Sequence, residues 1–141
     1  MTERPERRSV KRYEELKAWQ ACHELAVELH ATTKSWPFRE ALYLIDQTRR
    51  AAFSAAANIA EGSAKRGEKE FRRYLDISLG SLSELCYALR LARDLKLLTT
   101  AKWGELEALR DHAGQLTWGL YRAVSRRTGR LKCGPEEAAQ P

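Results

Sequence analysis

Apolar residues recur at three- and four-residue steps along four separate stretches of this chain, and nowhere at every second position. That spacing lines up one face of a helix, whereas a half-buried strand needs strict alternation. The chain is thereby directed to an all-α fold. In the first stretch, over 13–35, the repeat runs Leu16, Trp19, Cys22, Ala26, Leu29 and Thr33. Trp36-Pro37-Phe38 breaks it, because proline disfavours helical backbone at the residue before it. A second helix is expected over 39–61, with Leu42, Ile45, Ala52, Phe53, Ala56, Ile59 and Ala60 on its inner side. Gly62 is placed to end it in a left-handed conformation. The alanine run over 51–60 makes this helix thin, so its neighbours can approach closely.

A third helix is expected over 68–98. Gly67 precedes it, and Glu68 and Glu70 suit the positive end of the helix dipole. Phe71, Leu75, Ser78, Leu82, Leu85, Leu89 and Ala92 carry its apolar face. Thr99-Thr100 can cap a fourth helix over 101–127, striped by Leu106, Leu109, Ala113, Leu116, Leu120, Ala123 and Val124. Residues 1–12 form a basic arm and 128–141 a flexible tail. With 141 residues there is room for one core. Short connections make consecutive helices antiparallel, so the expected architecture is an up-and-down antiparallel four-helix bundle.

Charge enters the argument through its position. The chain carries a net charge of +6, yet residues 13–121 hold 15 basic and 15 acidic residues. The surplus therefore lies at the chain ends. In an up-and-down bundle the start of helix one, the turn between helices two and three, and the end of helix four share one pole. Those places hold Arg7, Arg8, Lys11 and Arg12; then Lys65, Arg66 and Lys69; then Arg126, Arg127 and Arg130. A basic pole attracts polyanions such as RNA, DNA or acidic lipid. The plainer reading is a set of solubilising cations, partly placed to suit the end of the last helix. The opposite pole collects Trp36, Phe38, Leu97, Leu98 and Trp103.

Parts needed for enzymes are missing from the sequence. No Glu-x-x-His pair of the bundle di-iron type occurs, since Gln20, Val27 and Leu109 stand three before His23, His30 and His112. There is no phosphate-binding glycine loop. Cys22, Cys86 and Cys133 form no C-x-x-C pair, and Cys86 lacks a neighbouring base, so they read as small hydrophobes in a reducing compartment. The expectation is a protein without catalytic residues, metal or cofactor. The polar N-terminus has no signal-peptide pattern, and the most apolar stretch, 51–60, is too short to span a bilayer. A cytoplasmic location without membrane contact follows as the expectation.

Helix two carries a second stripe. Tyr43, Gln47, Arg50, Ser54, Asn58 and Glu61 fall within about 80° of one another on a helical projection. Such a stripe is either an ordinary solvated face or a contact surface for another subunit or partner. Arg49 projects towards the apolar side, where it is expected to snorkel or to pair with a carboxylate, for example on helix three. Tyr13, Tyr74 and Tyr121 lie beside basic residues and are either packing aromatics or platforms for unpaired bases.

Tyr13-Glu14-Glu15-Leu16-Lys17-Ala18-Trp19-Gln20 is followed by Gln47-Thr48-Arg49-Arg50-Ala51-Ala52, Ser54 and Asn58-Ile59-Ala60-Glu61-Gly62. Then come Glu70-Phe71, Tyr74-Leu75 and Gly80-Ser81-Leu82-Ser83-Glu84-Leu85. In order and spacing, over roughly 13–127, these pieces resemble the 23S rRNA intervening-sequence protein family, also called four helix bundle proteins. Gly67 departs from the pattern, where the family often has Ser. The resemblance implies a bundle that assembles as a homopentamer and has no enzymatic activity. It also suggests a relation to accessory variability proteins of diversity-generating retroelements, which partner a reverse transcriptase. The resulting expectation is an oligomeric RNA- or DNA-binding protein. The alternative is a protein–protein adaptor, such as an accessory subunit of a reverse transcriptase.

Overall fold

Each helix starts where the chain supplies a backbone or side-chain acceptor for the first free amides. Leu16 is extended (φ −78°, ψ 123°) and its carbonyl accepts the Gln20 amide, opening α1, Lys17–Thr33. Pro37 is likewise extended and accepts the Ala41 amide, opening α2, Phe38–Ser63. Gly67, at φ 86°, turns the chain into α3, Glu68–Asp94, with Glu68 and Glu70 in the first turn. The Thr99 hydroxyl accepts the Lys102 amide at 3.0 Å and caps α4, Thr100–Leu131. These helices come from a computed structural model that describes residues 12–131, and side chains over 12–128. No strand occurs among the described residues.

Several boundaries differ from the sequence reading, each for a local reason. Residues Arg12–Glu15 form a single 3-10 turn, so α1 begins at Lys17 and not at 13. The second helix runs on through Gly62 to Ser63, and Gly62 is a buried interior residue, not a terminating one. A Cβ on Gly62 would meet the Tyr74 Cβ at 2.7 Å and Phe71 Cδ1 at 3.0 Å. The glycine lets α2 and α3 touch. The third helix stops at Asp94, short of 98, because Lys96 adopts φ 65°. Its amide bonds to the Arg93 carbonyl and the Leu97 amide to the Ala92 carbonyl, a Schellman closure with lysine in the usual glycine position. The fourth helix continues beyond 127, and Thr128 is buried with its hydroxyl on the Val124 carbonyl. What was expected to be the start of a flexible tail is helix as far as Leu131.

Cross-helix pairs establish the direction of each neighbour. Ser54 meets Ser81 at 2.7 Å while the Ser78 hydroxyl donates to the Ala55 carbonyl at 2.6 Å, so α2 and α3 run in opposite senses. Arg93 stacks on Trp103 at one end of α3 and α4, and Arg127 pairs with Glu68 at the other. Cys22 lies 3.7 Å from Thr117, and Lys102 pairs with Glu28, which makes α1 antiparallel to α4. The helices thus close an up-and-down antiparallel bundle in which α1 contacts α2 and α4, and α3 contacts α2 and α4.

Leu25, Leu29, Ile59, Leu75, Leu82, Leu85, Leu89 and Leu106 fill the centre and exclude water. In α2 the buried arc is lined largely by small residues, Ala41, Thr48, Ala51, Ala52, Ala55, Ala56 and Gly62, beside Leu44, Ile45 and Ile59. Leu42 and Phe53, expected inward, are instead 47% and 71% exposed. The close approach of α3 leaves no room for a phenyl ring there, so α2 is rotated to present its alanines. Arg49 also departs from expectation. Its Nε donates to the Thr33 hydroxyl at 2.8 Å and its guanidinium reaches the His30 carbonyl, so it ties down the end of α1 without a carboxylate.

Candidate nucleic-acid interface

The pole where α1 begins, α2 hands over to α3 and α4 ends is fixed by one contact across the bundle. The Arg127 guanidinium donates to Glu68 at 2.9 Å and brings the last turns of α4 onto the first turn of α3. Lys65 and Arg66 lie in the connection from Ser63 to Glu68, and Lys69 follows in the first turn of α3. Arg12 sits in the 3-10 turn, which packs against α1 and α2. Arg12, Lys65, Arg66, Lys69, Arg126 and Arg127 are all exposed. Arg7, Arg8 and Lys11 lie outside the described residues, as does the side chain of Arg130.

Part of this charge is balanced. Lys65 pairs with Glu61 at 3.8 Å, Arg127 with Glu68, and Arg73 with Glu70 at 3.2 Å. Arg12, Arg66, Lys69 and Arg126 have no carboxylate partner among the described residues. The local field stays positive. A hydrogen bond from Arg73, with the charges of Arg73, Lys65 and Lys69, holds the Glu70 carboxyl below its ordinary range.

The three tyrosines beside basic residues take different roles. Tyr13 packs edge-on against Trp19, with centroids 4.9 Å apart. Tyr74 lies beside the Arg73 guanidinium at 4.7 Å and the Lys65 ammonium at 5.4 Å, so its ring is already engaged by cations. Tyr121 stacks on the half-exposed Trp118 at 5.3 Å and lines a cleft of about 270 Å³ with Lys69, Glu70, Arg72, Arg73 and Asp76. The sequence pairs Arg72 with Tyr74 and does not single out Trp118. Arg72 lies three residues from Lys69 on α3 and Trp118 three from Tyr121 on α4, so only the meeting of the two pairs depends on the register between the helices.

The stripe on α2 divides. Tyr43 is 73% exposed, Arg50 and Glu61 are exposed, and Gln47 is half-buried. Ser54 and Asn58 turn into the seam with α3, where Ser54 meets Ser81 and the Asn58 amide donates to the Ser54 carbonyl and hydroxyl. Both side chains are half-buried there. The most exposed members of this stripe are Tyr43, Arg50 and Glu61.

At the opposite pole, Glu28, Trp36, Leu97, Leu98 and Lys102 are among the residues lining a second cleft of about 400 Å³. Lys102 is held there by Glu28 at 2.7 Å and Glu105 at 3.6 Å, and the Glu28 hydrogen bond raises its pKa. Its charge is already answered, so this cleft offers an anion little. Among the described residues no group of three His, Cys, Asp or Glu side chains is arranged to hold a metal ion. No helix among them is long and apolar enough to cross a membrane.

No curated protein matches the chain significantly. A family model, however, matches residues 14–119, the region that builds the 3-10 turn, α1–α3 and most of α4. The chain belongs to the 23S rRNA-intervening sequence protein family.

Proposed function

We propose that the protein is a non-enzymatic nucleic-acid-binding protein of the cytoplasm, acting on RNA as an oligomer through its basic pole. The observation that carries this reading is that Arg12, Arg66, Lys69 and Arg126, without carboxylate partners among the described residues, lie at the end of the bundle where Arg127 pairs with Glu68. Cations so placed contact phosphates and read no sequence by themselves. The family's name, tied to the intervening sequences of 23S rRNA, favours RNA over DNA. Five copies in a ring, the assembly implied by the family resemblance, would repeat the pole five times and supply affinity by avidity. Native mass measurement should then return five times the 16.1 kDa chain.

The test is the salt dependence of binding to a structured RNA. Affinity should fall steeply with added salt, with a slope near −0.9 on a log–log plot for each phosphate neutralised. Replacing Arg66 and Arg126 with Glu should weaken binding and flatten that slope by about two. Neither residue has an ion-pair partner among the described residues, so the circular dichroism should stay unchanged. Wild-type binding by this double variant ends the proposal. A second reading, an adaptor for a protein such as a reverse transcriptase, draws on the exposed Phe38, Tyr43, Phe53 and Tyr87. It requires partner binding that is insensitive to salt and no RNA affinity.

A further inference from the structure

We propose that the cleft between α3 and α4 holds one unpaired nucleotide, its base stacked on Tyr121 and its phosphate on Lys69 and Arg72. This rests on the reading of the basic pole as a nucleic-acid surface, and adds single-strand recognition to it.

Three observations carry the assignment. First, the cleft of about 270 Å³ is large enough for a nucleobase and is open at the surface beside the pole. Second, its cations are available. Lys69 and Arg72 line it with no carboxylate partner among the described residues, whereas Arg73 is held by Glu70 at 3.2 Å. Third, no cation among the described residues lies over the Tyr121 ring, whereas Lys65 and Arg73 lie over that of Tyr74. Trp118 stacks against Tyr121 with the rings 10° from parallel, which leaves a stacking platform already one ring deep. A base added to Tyr121 would extend an existing stack, and stacking on an aromatic ring tolerates any base because each has a π-face.

The mixed charge of the lining selects a nucleotide over a bare polyphosphate. Asp76 shares the cleft with the two cations, so a second phosphate would be repelled. The edge of a base is the complement instead, since a carboxylate accepts hydrogen bonds from exocyclic amino groups. Lys69 and Arg72 at one side, Tyr121 in the wall and Asp76 nearby match phosphate, ring and base edge in turn.

Electrostatics alone predicts the opposite preference. Duplex RNA has the higher charge density, so a pole that only collected phosphates would bind duplex more strongly than single strand. The experiment compares a labelled single-stranded RNA decamer of mixed A and C with its duplex, by fluorescence anisotropy on the full chain at fixed salt. The proposal expects wild type to prefer the single strand. Tyr121→Leu, which keeps an apolar side chain for packing, should weaken single-strand binding by roughly five- to 150-fold and leave duplex binding unchanged. Tyr121→Trp should retain it. Equal loss on both ligands, or no loss, from a folded Tyr121→Leu overturns the cleft while leaving the basic pole standing. Wild type that binds neither ligand overturns both. Should Tyr121→Leu not fold, crosslinking of wild type to a 4-thiouridine strand decides. Crosslinks at Tyr121 support the cleft, and crosslinks confined elsewhere overturn it.

Discussion

Cys22 lies in the core of α1 with no exposed surface, its sulfur 3.7 Å from the Thr117 hydroxyl. That hydroxyl donates to the Ala113 carbonyl at 2.8 Å, which leaves its lone pairs to receive the thiol proton. Burial raises the Cys22 pKa from 9.0 to about 11, although the Thr117 hydroxyl, turned to donate to a thiolate, pulls the other way. Burial also raises Cys86, but on a half-buried site. The folded state therefore keeps the Cys22 proton where the unfolded chain has lost it. The resulting stability is complete below about pH 9 and is lost as pH rises through 11, a component of roughly 2–3 kcal/mol. Urea unfolding of wild type and Cys22→Ala between pH 8 and 11 should show a steeper decline in wild type. Parallel declines would mean that the thiol is solvated. The same burial makes Cys22 unreactive towards alkylating reagents at pH 8 until the protein is unfolded.

At the scale of the helices, the end of α3 offers a direct test of local strain. Lys96 occupies the left-handed region at φ 65°, which an L side chain with a Cβ adopts at a cost of about 1–2 kcal/mol. Both Schellman hydrogen bonds around it use backbone atoms only. Lys96→Gly should keep them and relieve strain, raising the unfolding free energy by about 0.5–1 kcal/mol after the extra flexibility of glycine in the unfolded chain. A lower urea midpoint for this variant would contradict the strain. The lysine also explains why sequence reading ran α3 on to 98, since the usual glycine stop is absent. The four apolar periods were legible because each repeats over several turns. The rotation of α2 was not. Alanines at 51, 52, 55, 56, 57 and 60 surround that helix, so hydrophobicity alone could not choose its buried arc. Steric fit chose it, through the Gly62–Tyr74 contact and the Ser78–Ala55 hydrogen bond. Both depend on partners too far along the chain to read locally.

For the whole molecule, the question is whether binding follows local charge at one pole or net charge everywhere. The basic runs were legible in sequence, and so was the i,i+4 spacing of Glu61 and Lys65. The pairing of Arg127 with Glu68, 59 residues apart, was not, because it requires the register of α3 against α4. That pair supplies a discriminating experiment. Glu68→Gln removes the carboxylate partner of Arg127 and adds one positive charge at the pole. Glu105→Gln adds the same charge near Lys102, about 33 Å from Arg127 along α4 at 1.5 Å per residue. The Debye length at physiological salt is about 8 Å, so the distant change is screened from a ligand on the pole. Each ion pair is exposed and contributes about 0–1 kcal/mol to stability, so both variants should remain folded. RNA affinity should therefore rise severalfold in Glu68→Gln, with a salt slope steeper by about one, and barely change in Glu105→Gln. Equal gains in the two variants would mean that net charge, and not the convergence of α3 and α4, attracts the nucleic acid.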